Sequence, residues 1–168
     1  EIVLTGVDLT SYGEDLPGKP KLGNILKRLF TLHSNLKRLR LSSIDPAEID
    51  DELFDLFCFE KRLMPHLHLS LQSGDNLILK RMKRRHSRET VIEICKRLRS
   101  IRKDITFGAD LIVGFPTEGK KEFLNSIDLL ENCKFSNMHI FPFSPKKGTP
   151  AARMPQVEKS TINERAAY

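Results

Sequence analysis

The sequence has few cysteines, and they are scattered. Its 168 residues include three, Cys58, Cys95 and Cys133, none of them in CxxC-type spacing. An odd and dispersed set argues against a disulfide framework and favours a reducing compartment, the cytoplasm. It also argues against a metal site built from these cysteines alone. No apolar run approaches the roughly 20 residues that a membrane-spanning helix needs, so we expect no membrane association.

Several sequence signatures of enzyme sites are also missing. There is no GxGxxG dinucleotide fingerprint and no GxSxG turn of the kind that presents a hydrolase serine. The stretch GFPTEG, residues 114–119, is not a phosphate loop because no GK[ST] follows it. These absences exclude the commonest nucleotide-binding and serine-hydrolase sites.

The most evident feature that the sequence does have is an excess of basic residues. The net charge is +6, and much of the excess lies in LKRMKRRHSR, residues 79–88, and KRLRSIRK, residues 96–103. A basic surface of this kind is typical of proteins that bind nucleic acid. Two solvated helix faces would explain the same charge, so both interpretations stay open.

Strand and helix patterns alternate along the chain. Strands are predicted at residues 2–4, 36–43, 66–72, 105–114 and 136–143, with amphipathic helices between them. This order predicts α/β units, a parallel sheet and right-handed crossovers. Two architectures satisfy it: a doubly wound sheet, or part of a (β/α) barrel, since a complete barrel takes about 250 residues.

Residues with helix-capping chemistry mark the predicted helix starts. Asp45 is a candidate N-cap, with Pro46 in the first turn and Glu48 placed to complete a capping box. One helix is therefore predicted to run from this point through the apolar residues that follow. Ser87 is predicted to cap a later, longer helix, and Thr117 the one after it.

The third strand favours the barrel. Its residues alternate between two faces. One face is apolar and consists of Leu67, Leu69 and Leu71. The other is polar and consists of His66, His68, Ser70 and Gln72. Strands of doubly wound sheets are covered by helices on both faces and tend to be apolar on both, whereas an open barrel has an interior that can hold a polar ligand. His66 and His68 could bind a metal, but no third ligand is near them in sequence. We therefore predict hydrogen-bonded interior histidines and no metal site.

The segments that follow the strands are rich in small and polar residues. They read TGVDLTSYG, SSIDP, LQSGD, GADLIVGFPTE and FPFSPKKGTPA. Ligands of parallel α/β folds bind at the carboxyl ends of the strands, where these five segments meet. Such residues also make ordinary turns, but five at one end of a sheet favour a ligand site.

Five strings carry a family resemblance across nearly the whole chain. In order, they are EIVLTGVDLTSYGEDLPG, RLRLSSIDPAEIDDEL, LMPHLHLSLQSGDNLILKRMKRRHSRE, FGADLIVGFPTE and HIFPFSPKKGTPAARMPQV. Together they resemble the radical S-adenosylmethionine (SAM) methylthiotransferases. Within that family they are most similar to the tRNA enzymes that add a methylthio group at C2 of N6-threonylcarbamoyladenosine (t6A), next to the anticodon.

The resemblance implies a longer protein of which this chain is the middle part. Such a protein has an N-terminal domain with one [4Fe–4S] cluster and a partial (β/α) TIM-like barrel of the radical SAM type. The barrel holds a second cluster on a CxxxCxxC loop, and a C-terminal domain binds RNA. Residues 1–145 would be the barrel without its first strand and cluster loop, and residues 146–168 an extension toward the RNA-binding domain. The intact protein would be an enzyme with all cluster ligands outside this chain, and the chain alone would be inactive.

The resemblance also implies a pocket for SAM at the strand ends. Gly6 and Asp8 would lie near the methionine moiety. Ser42 and Ser43 would meet its carboxylate or the ribose, and Gln72 would contact the ribose or the methionine.

The adenine side of the implied pocket comes from the last two strands. Asp110, Val113 and Gly114 match the strand whose backbone passes the adenine, and Phe141 and Phe143 would close that side. The match to the superfamily pattern GxIxGxxE is imperfect, since Asp110 replaces the first glycine and the glutamate, at position 118, is one residue late.

The implied partners are tRNA and an electron donor such as flavodoxin or ferredoxin. His68 would face the nucleoside from the barrel interior. Phosphates would be met by Lys80, Arg84 and Arg85, and by Lys146 further along. A solvated helix end is the alternative for the basic stretch.

Three alternatives to the t6A enzyme remain at this stage. One is the sister enzyme that methylthiolates an aspartate of a ribosomal protein. The second is a non-radical barrel enzyme that binds a sugar phosphate. The third is a plain RNA-binding module, which the lack of evident aromatic stacking platforms disfavours.

Overall fold

The structure is a computed structural model that describes residues 1–168. Its five strands are β1 (Ile2–Leu4), β2 (Leu39–Leu41), β3 (His66–Gln72), β4 (Thr106–Val113) and β5 (Asn137–Pro142). Its six α-helices are α1 (Leu22–Leu32), α2 (Asp51–Phe59), α3 (Asn76–Arg81), α4 (Arg88–Ile101), α5 (Lys120–Asn132) and α6 (Lys159–Ala167). Two 3-10 helices lie at Pro46–Glu48 and Ala151–Arg153. None of the helices combines the length and the apolar character that crossing a bilayer requires.

All strand pairs are parallel, and the strands lie side by side in chain order. β1 pairs with β2, and β3, β4 and β5 form a second ladder. Ile44, just after β2, joins the two ladders because its N–H donates to His68 O at 2.9 Å and its carbonyl accepts from Ser70 N at 2.9 Å. A doubly wound sheet would reverse its strand order at a switch point. The uninterrupted order confirms the predicted partial (β/α) barrel.

The two faces of β3 have different environments, as the alternation predicts. Leu67, Leu69 and Leu71 are fully buried in one core together with residues of α1, α2, α4 and α5. His66, His68, Ser70 and Gln72 are only partly buried. The leucines therefore pack against the helices, and the polar row lines the barrel interior.

The helix predicted to start at Asp45 is in fact two helices. The Asp45 carboxylate accepts from Ala47 N at 2.9 Å, but it caps only the 3-10 turn Pro46–Glu48. The chain then becomes extended, and Asp50 starts α2 by accepting from Leu53 N at 2.7 Å. Because two aspartates offer capping oxygens five residues apart, the backbone restarts the helix instead of continuing it.

The prediction that Thr117 caps a helix is wrong, whereas the one for Ser87 is confirmed. Ser87 accepts from Thr90 N at the start of α4. Thr117 has a φ of +70° in the turn before α5, outside the extended region that an N-cap residue adopts. The helix starts at Lys120, where the Glu122 side chain accepts from Gly119 N at 2.9 Å.

The C-terminal segment returns to the barrel. The extension predicted after residue 145 contains the short 3-10 helix and then α6. Tyr168 packs edge-to-face on Phe123 of α5 with ring centroids 5.8 Å apart. Helix α6 thus rests against α5 and the end of β4.

Candidate functional site

The end of β3 is a strained turn that carries Gln72. Gln72 has a φ of +65°, and the pairing register with β4 slips between Leu69 and Gln72. A left-handed backbone at a non-glycine residue costs about 1–3 kcal/mol and is concentrated at ligand sites. The Gln72 side chain is half-buried and makes no hydrogen bond within the chain. Its amide is therefore available to a ligand.

Two serines follow β2 at the same end of the barrel. Ser42 Oγ is buried and has no hydrogen-bond partner, which is costly for a hydroxyl group unless a ligand satisfies it. Ser43 Oγ donates to Asp110 Oδ2 at 3.2 Å, which ties the end of β2 to the middle of β4. The unpaired hydroxyl of Ser42 therefore fits a ligand that is rich in hydroxyl or carboxylate groups.

A buried carboxylate holds the turn after β4. Gly114 has a φ of +75°, and its N–H donates to Glu118 Oε1 at 2.9 Å. The same oxygen accepts from Arg165 Nη1 of α6 at 2.6 Å. Burial raises the pKa of Glu118, while the Gly114 N–H and the Arg165 charge act in the opposite direction. In the sequence Glu118 is only a departure from the family pattern, whereas in the structure its carboxylate fixes the backbone of the turn after β4.

Aromatic side chains flank the end of β5. Phe143 N donates to Val113 O at 2.9 Å, so the chain after β5 stays on β4. The Phe143 ring meets Phe115 edge-to-face, with centroids 5.2 Å apart. Phe141 is half exposed. These rings form an apolar wall beside the Gly114 turn.

Three interior side chains converge below these strand ends. His68 Nε2 lies 3.1 Å from Asp110 Oδ1, and His139 Nδ1 lies 3.2 Å from the same oxygen. His66 is separate, because its Nδ1 contacts Thr106 Oγ1 at 2.8 Å. Burial, followed by the charges of neighbouring groups, lowers the pKa of His66. The predicted hydrogen-bonded interior histidines are confirmed, and His139, which sequence reasoning missed, joins them.

Gly6 and Asp8 lie in the exposed loop after β1. The Asp8 carboxylate accepts from Ser11 N at 3.3 Å and from Thr10 Oγ1 at 3.2 Å. No hydrogen bond joins either predicted residue to the rest of the pocket. The structure thus brings together the residues from β2, β4 and β5, with Gln72 at the end of β3, and leaves this loop to one side.

The comparisons with known proteins decide the family. Residues 1–130 match the family described as the Radical SAM superfamily. The chain belongs to this superfamily. Two solved structures in the same superfamily share the fold. They are coproporphyrinogen III oxidase HemN of Escherichia coli (TM-score 0.68, 16% identity, 90% of this chain and 36% of that chain) and the methyltransferase TsrM of Kitasatospora setae (TM-score 0.62, 17% identity, 77% and 26%).

Curated relatives carry methylthiotransferase names, as the motifs predicted. The chain is 56% identical over 166 residues to "Threonylcarbamoyladenosine tRNA methylthiotransferase MtaB" of Rickettsia prowazekii, covering 99% of this chain and 39% of the relative. The Bacillus subtilis protein of the same name is 39% identical, covering 98% and 37%. A "tRNA-2-methylthio-N(6)-dimethylallyladenosine synthase" of Orientia tsutsugamushi is also 39% identical, covering 98% and 37%. The chain thus spans about two fifths of the length of these relatives.

The basic residues of this radical SAM barrel differ in their availability. Arg84 is engaged internally, donating to Asp45 Oδ2 at 2.8 Å and to Ser70 O at 3.0 Å. Arg85 pairs with Glu48 but remains largely exposed. Lys80 and Lys146 are exposed and form no ion pair. These two lysines and Arg85 therefore present their charges to solvent, whereas Arg84 stabilises the fold.

The cysteines of this radical SAM chain lie away from the polar interior. Cys95 and Cys133 are both buried in the core between helices and sheet. A hydrogen bond with Cys133, together with burial, raises the pKa of the Cys95 thiol. The same hydrogen bond lowers the pKa of Cys133, and burial raises the pKa of the separate, half-buried Cys58. A cluster needs several thiolates at one point, and the three cysteines form no such group.

Proposed function

We propose that this chain is the SAM-binding part of an iron–sulfur enzyme that adds a methylthio group at C2 of t6A in tRNA. The observation that carries the proposal is 56% identity, across 99% of the chain, to a protein named as a t6A methylthiotransferase. Because the chain spans about two fifths of that relative, the activity is proposed for the intact protein.

The polar end of the barrel supports SAM as the ligand. SAM carries hydroxyl, carboxylate and amino groups. At the strand ends, Ser42 Oγ is buried without a hydrogen-bond partner, and the half-buried Gln72 amide makes no hydrogen bond within the chain. When bound, SAM and two [4Fe–4S] clusters supply the radical and methyl-transfer chemistry. The cluster ligands would lie outside this chain, since it has no CxxxCxxC motif and its three cysteines form no common group.

This chain contributes binding, orientation and shielding to that chemistry. Gly114, fixed by Glu118, offers backbone groups to an adenine, while Phe141 and Phe143 exclude water from one side. Ser43 Oγ already donates a hydrogen bond to Asp110, so Ser43 stabilises the side of the pocket and does not contact the ligand. Gly6 and Asp8, in the exposed loop after β1 beside the pocket, would complete the methionine side.

The exposed cations support tRNA as the substrate. Lys80, Arg85 and Lys146 would contact phosphates, which position an RNA without reading its sequence. Flavodoxin or ferredoxin would supply the electron. A tRNA substrate implies a cytoplasmic enzyme.

Two neighbouring activities are alternatives to the t6A assignment. The dimethylallyladenosine enzymes, at 39% identity, favour a different modified adenosine in tRNA. The other alternative is the methylthiolation of an aspartate in a ribosomal protein. Membership of the radical SAM superfamily removes the non-radical barrel enzyme from consideration.

Nucleoside analysis of tRNA separates these activities. Deleting the gene should abolish 2-methylthio-t6A and leave both 2-methylthio-N6-dimethylallyladenosine and the masses of the ribosomal proteins unchanged. Complementation with the intact gene should restore the nucleoside, whereas a Ser42→Ala and Gln72→Ala double variant should restore it poorly. Ser100→Ala, an exposed serine on α4, is the matched control. Unchanged 2-methylthio-t6A in the deletion strain would refute the assignment.

A further inference from the structure

Three strands present metal-binding side chains to one point in the barrel interior. His68 comes from β3, Asp110 from β4 and His139 from β5, and these strands are adjacent in the sheet. All three residues belong to the inward-facing rows. One ligand atom from each lies within 4.8 Å of the others.

The distances suit a shared ion. His68 Nε2 and His139 Nδ1 lie 3.1 and 3.2 Å from Asp110 Oδ1. Metal–nitrogen and metal–oxygen bonds of about 2.0–2.2 Å, at tetrahedral or octahedral angles, place neighbouring ligand atoms about 3.0–3.5 Å apart. The rings of His68 and His139 have centroids 4.9 Å apart and are tilted by 35°, so both can approach one centre.

Neighbouring residues hold Asp110 and His68 in place. Ser43 Oγ donates to Asp110 Oδ2, which leaves Oδ1 for the ion. A Cβ at Gly108 would lie 2.4 Å from His68 Nδ1, so only glycine there leaves the imidazole its position. Support of ligands by neighbouring groups in this way is typical of metal sites.

Exposure gives an ion a route to the site. The His68 and Asp110 side chains are 11% and 17% exposed, whereas His139 is 65% exposed. An ion could bind first to His139, and His68 and Asp110 would then complete its coordination. With three protein ligands, at least one coordination position stays open to the barrel interior.

We propose that His68, Asp110 and His139 bind one divalent transition-metal ion of the zinc class. Two imidazoles and one carboxylate favour such ions over Mg²⁺ and Ca²⁺, which prefer oxygen ligands. The site is distinct from iron held by cysteines, because no thiol belongs to it. It stands on residues of this chain and does not depend on the proposed activity.

Metal titration of the 168-residue chain tests the proposal. ZnCl2 should bind with a stoichiometry of one in calorimetry, and MgCl2 should not bind. CoCl2 should give visible d–d bands without a sulfur-to-cobalt charge-transfer band, and ZnCl2 should displace it. These readouts need neither SAM nor clusters, so they are independent of the tRNA analysis.

Variants locate the bound ion. His139→Gln, at a position where the side chain is 65% exposed, should weaken Zn²⁺ binding at least tenfold, and Asp110→Asn should do the same. His66→Gln, on the same face of β3 but outside the cluster, is the matched control and should bind Zn²⁺ as the wild type does. No stoichiometric binding, binding unaffected by His139→Gln, or a sulfur charge-transfer band would each overturn the proposal.

Discussion

Arg165 Nη1 lies 2.6 Å from Glu118 Oε1, and both side chains are almost completely buried. The same carboxylate oxygen accepts the N–H of Gly114, so one ion pair links the C-terminal helix to the turn at the end of β4. Arg165 also donates to Glu118 O at 2.9 Å. Removing either partner would leave a charge buried without its counterion.

Arg165→Leu should destabilise the fold. Truncating one partner of a buried pair costs about 3–5 kcal/mol, because the remaining charge loses its compensation. Urea unfolding followed by circular dichroism measures the loss. Arg153→Leu, at an exposed position in the 3-10 helix after β5, is the control and should change the free energy of unfolding by less than about 0.5 kcal/mol. Equal effects of the two variants would show that the ion pair contributes nothing.

Glu118 should also impose a pH dependence on stability. Burial raises its pKa above the ordinary value of 4.5, so the native state binds this proton more readily than the unfolded chain does. The stabilisation from this proton is fully present below pH 4.5 and is lost as the pH rises through the raised pKa. Glu118→Gln should remove that component. The free energy of unfolding of the wild type, minus that of the variant, should therefore decrease as the pH rises across this range. A difference that does not change with pH would contradict the assignment.

Asp45 should show the opposite dependence. Burial acts to raise its pKa, but the adjacent His86, the Ala47 N–H and the Arg84 charge outweigh burial and hold the pKa below 3.8. The stability it contributes is present above pH 3.8 and is lost as the pH falls through the lowered pKa. Asp45→Asn should cost about 1–3 kcal/mol at neutral pH, and the cost should shrink in acid. Asp15→Asn, an exposed control, should be neutral in the same urea titrations.

Gly108→Ala should disturb the histidine cluster by overpacking. The new Cβ would meet His68 Nδ1 at 2.4 Å, and forcing this contact costs about 1–3 kcal/mol. Adding His68→Ala removes the clash, so the double variant should lose less stability than the sum of the two single variants. A double-mutant cycle of unfolding free energies measures this coupling. Strict additivity would mean that the imidazole moves aside without cost.

Gln72→Gly should separate stability from ligand binding. Glycine adopts the positive φ of this position without strain, so the variant should be as stable as the wild type or more stable by up to about 1 kcal/mol. Loss of the amide should weaken SAM binding by the intact protein about tenfold, the equivalent of one hydrogen bond. Equilibrium dialysis measures the affinity. Wild-type affinity in this variant would remove Gln72 from the pocket.

Local patterns were sufficient for the sheet and its faces. The alternation in β3 predicted which residues pack under helices and which line the interior, because side-chain direction repeats every two residues. The family strings added the cofactor pocket, whose individual contacts remain predictions. Competition between nearby capping groups was harder to judge, and Asp50 and Gly119 took the roles given to Asp45 and Thr117.

The histidine cluster required the tertiary register. His68 and Asp110 are 42 residues apart, and Asp110 and His139 are 29 apart. Nothing in the spacing of the sequence shows that three strands align at these positions. The contacts of Arg84 could not be predicted from the sequence either. Its position in a basic run does not indicate that its side chain donates hydrogen bonds to Asp45 and to Ser70 O.

The segment between β5 and α6 is anchored at both ends on the same strand. Phe143 is bonded to Val113 at one end, and Ile162 at the other fills the space that a Cβ on Gly114 would occupy. Between these anchors lie Lys146 and Lys147, both exposed. A protease that cuts after either lysine would therefore leave the last helix bound, and the nicked protein would run as one species under native conditions and as two fragments once denatured.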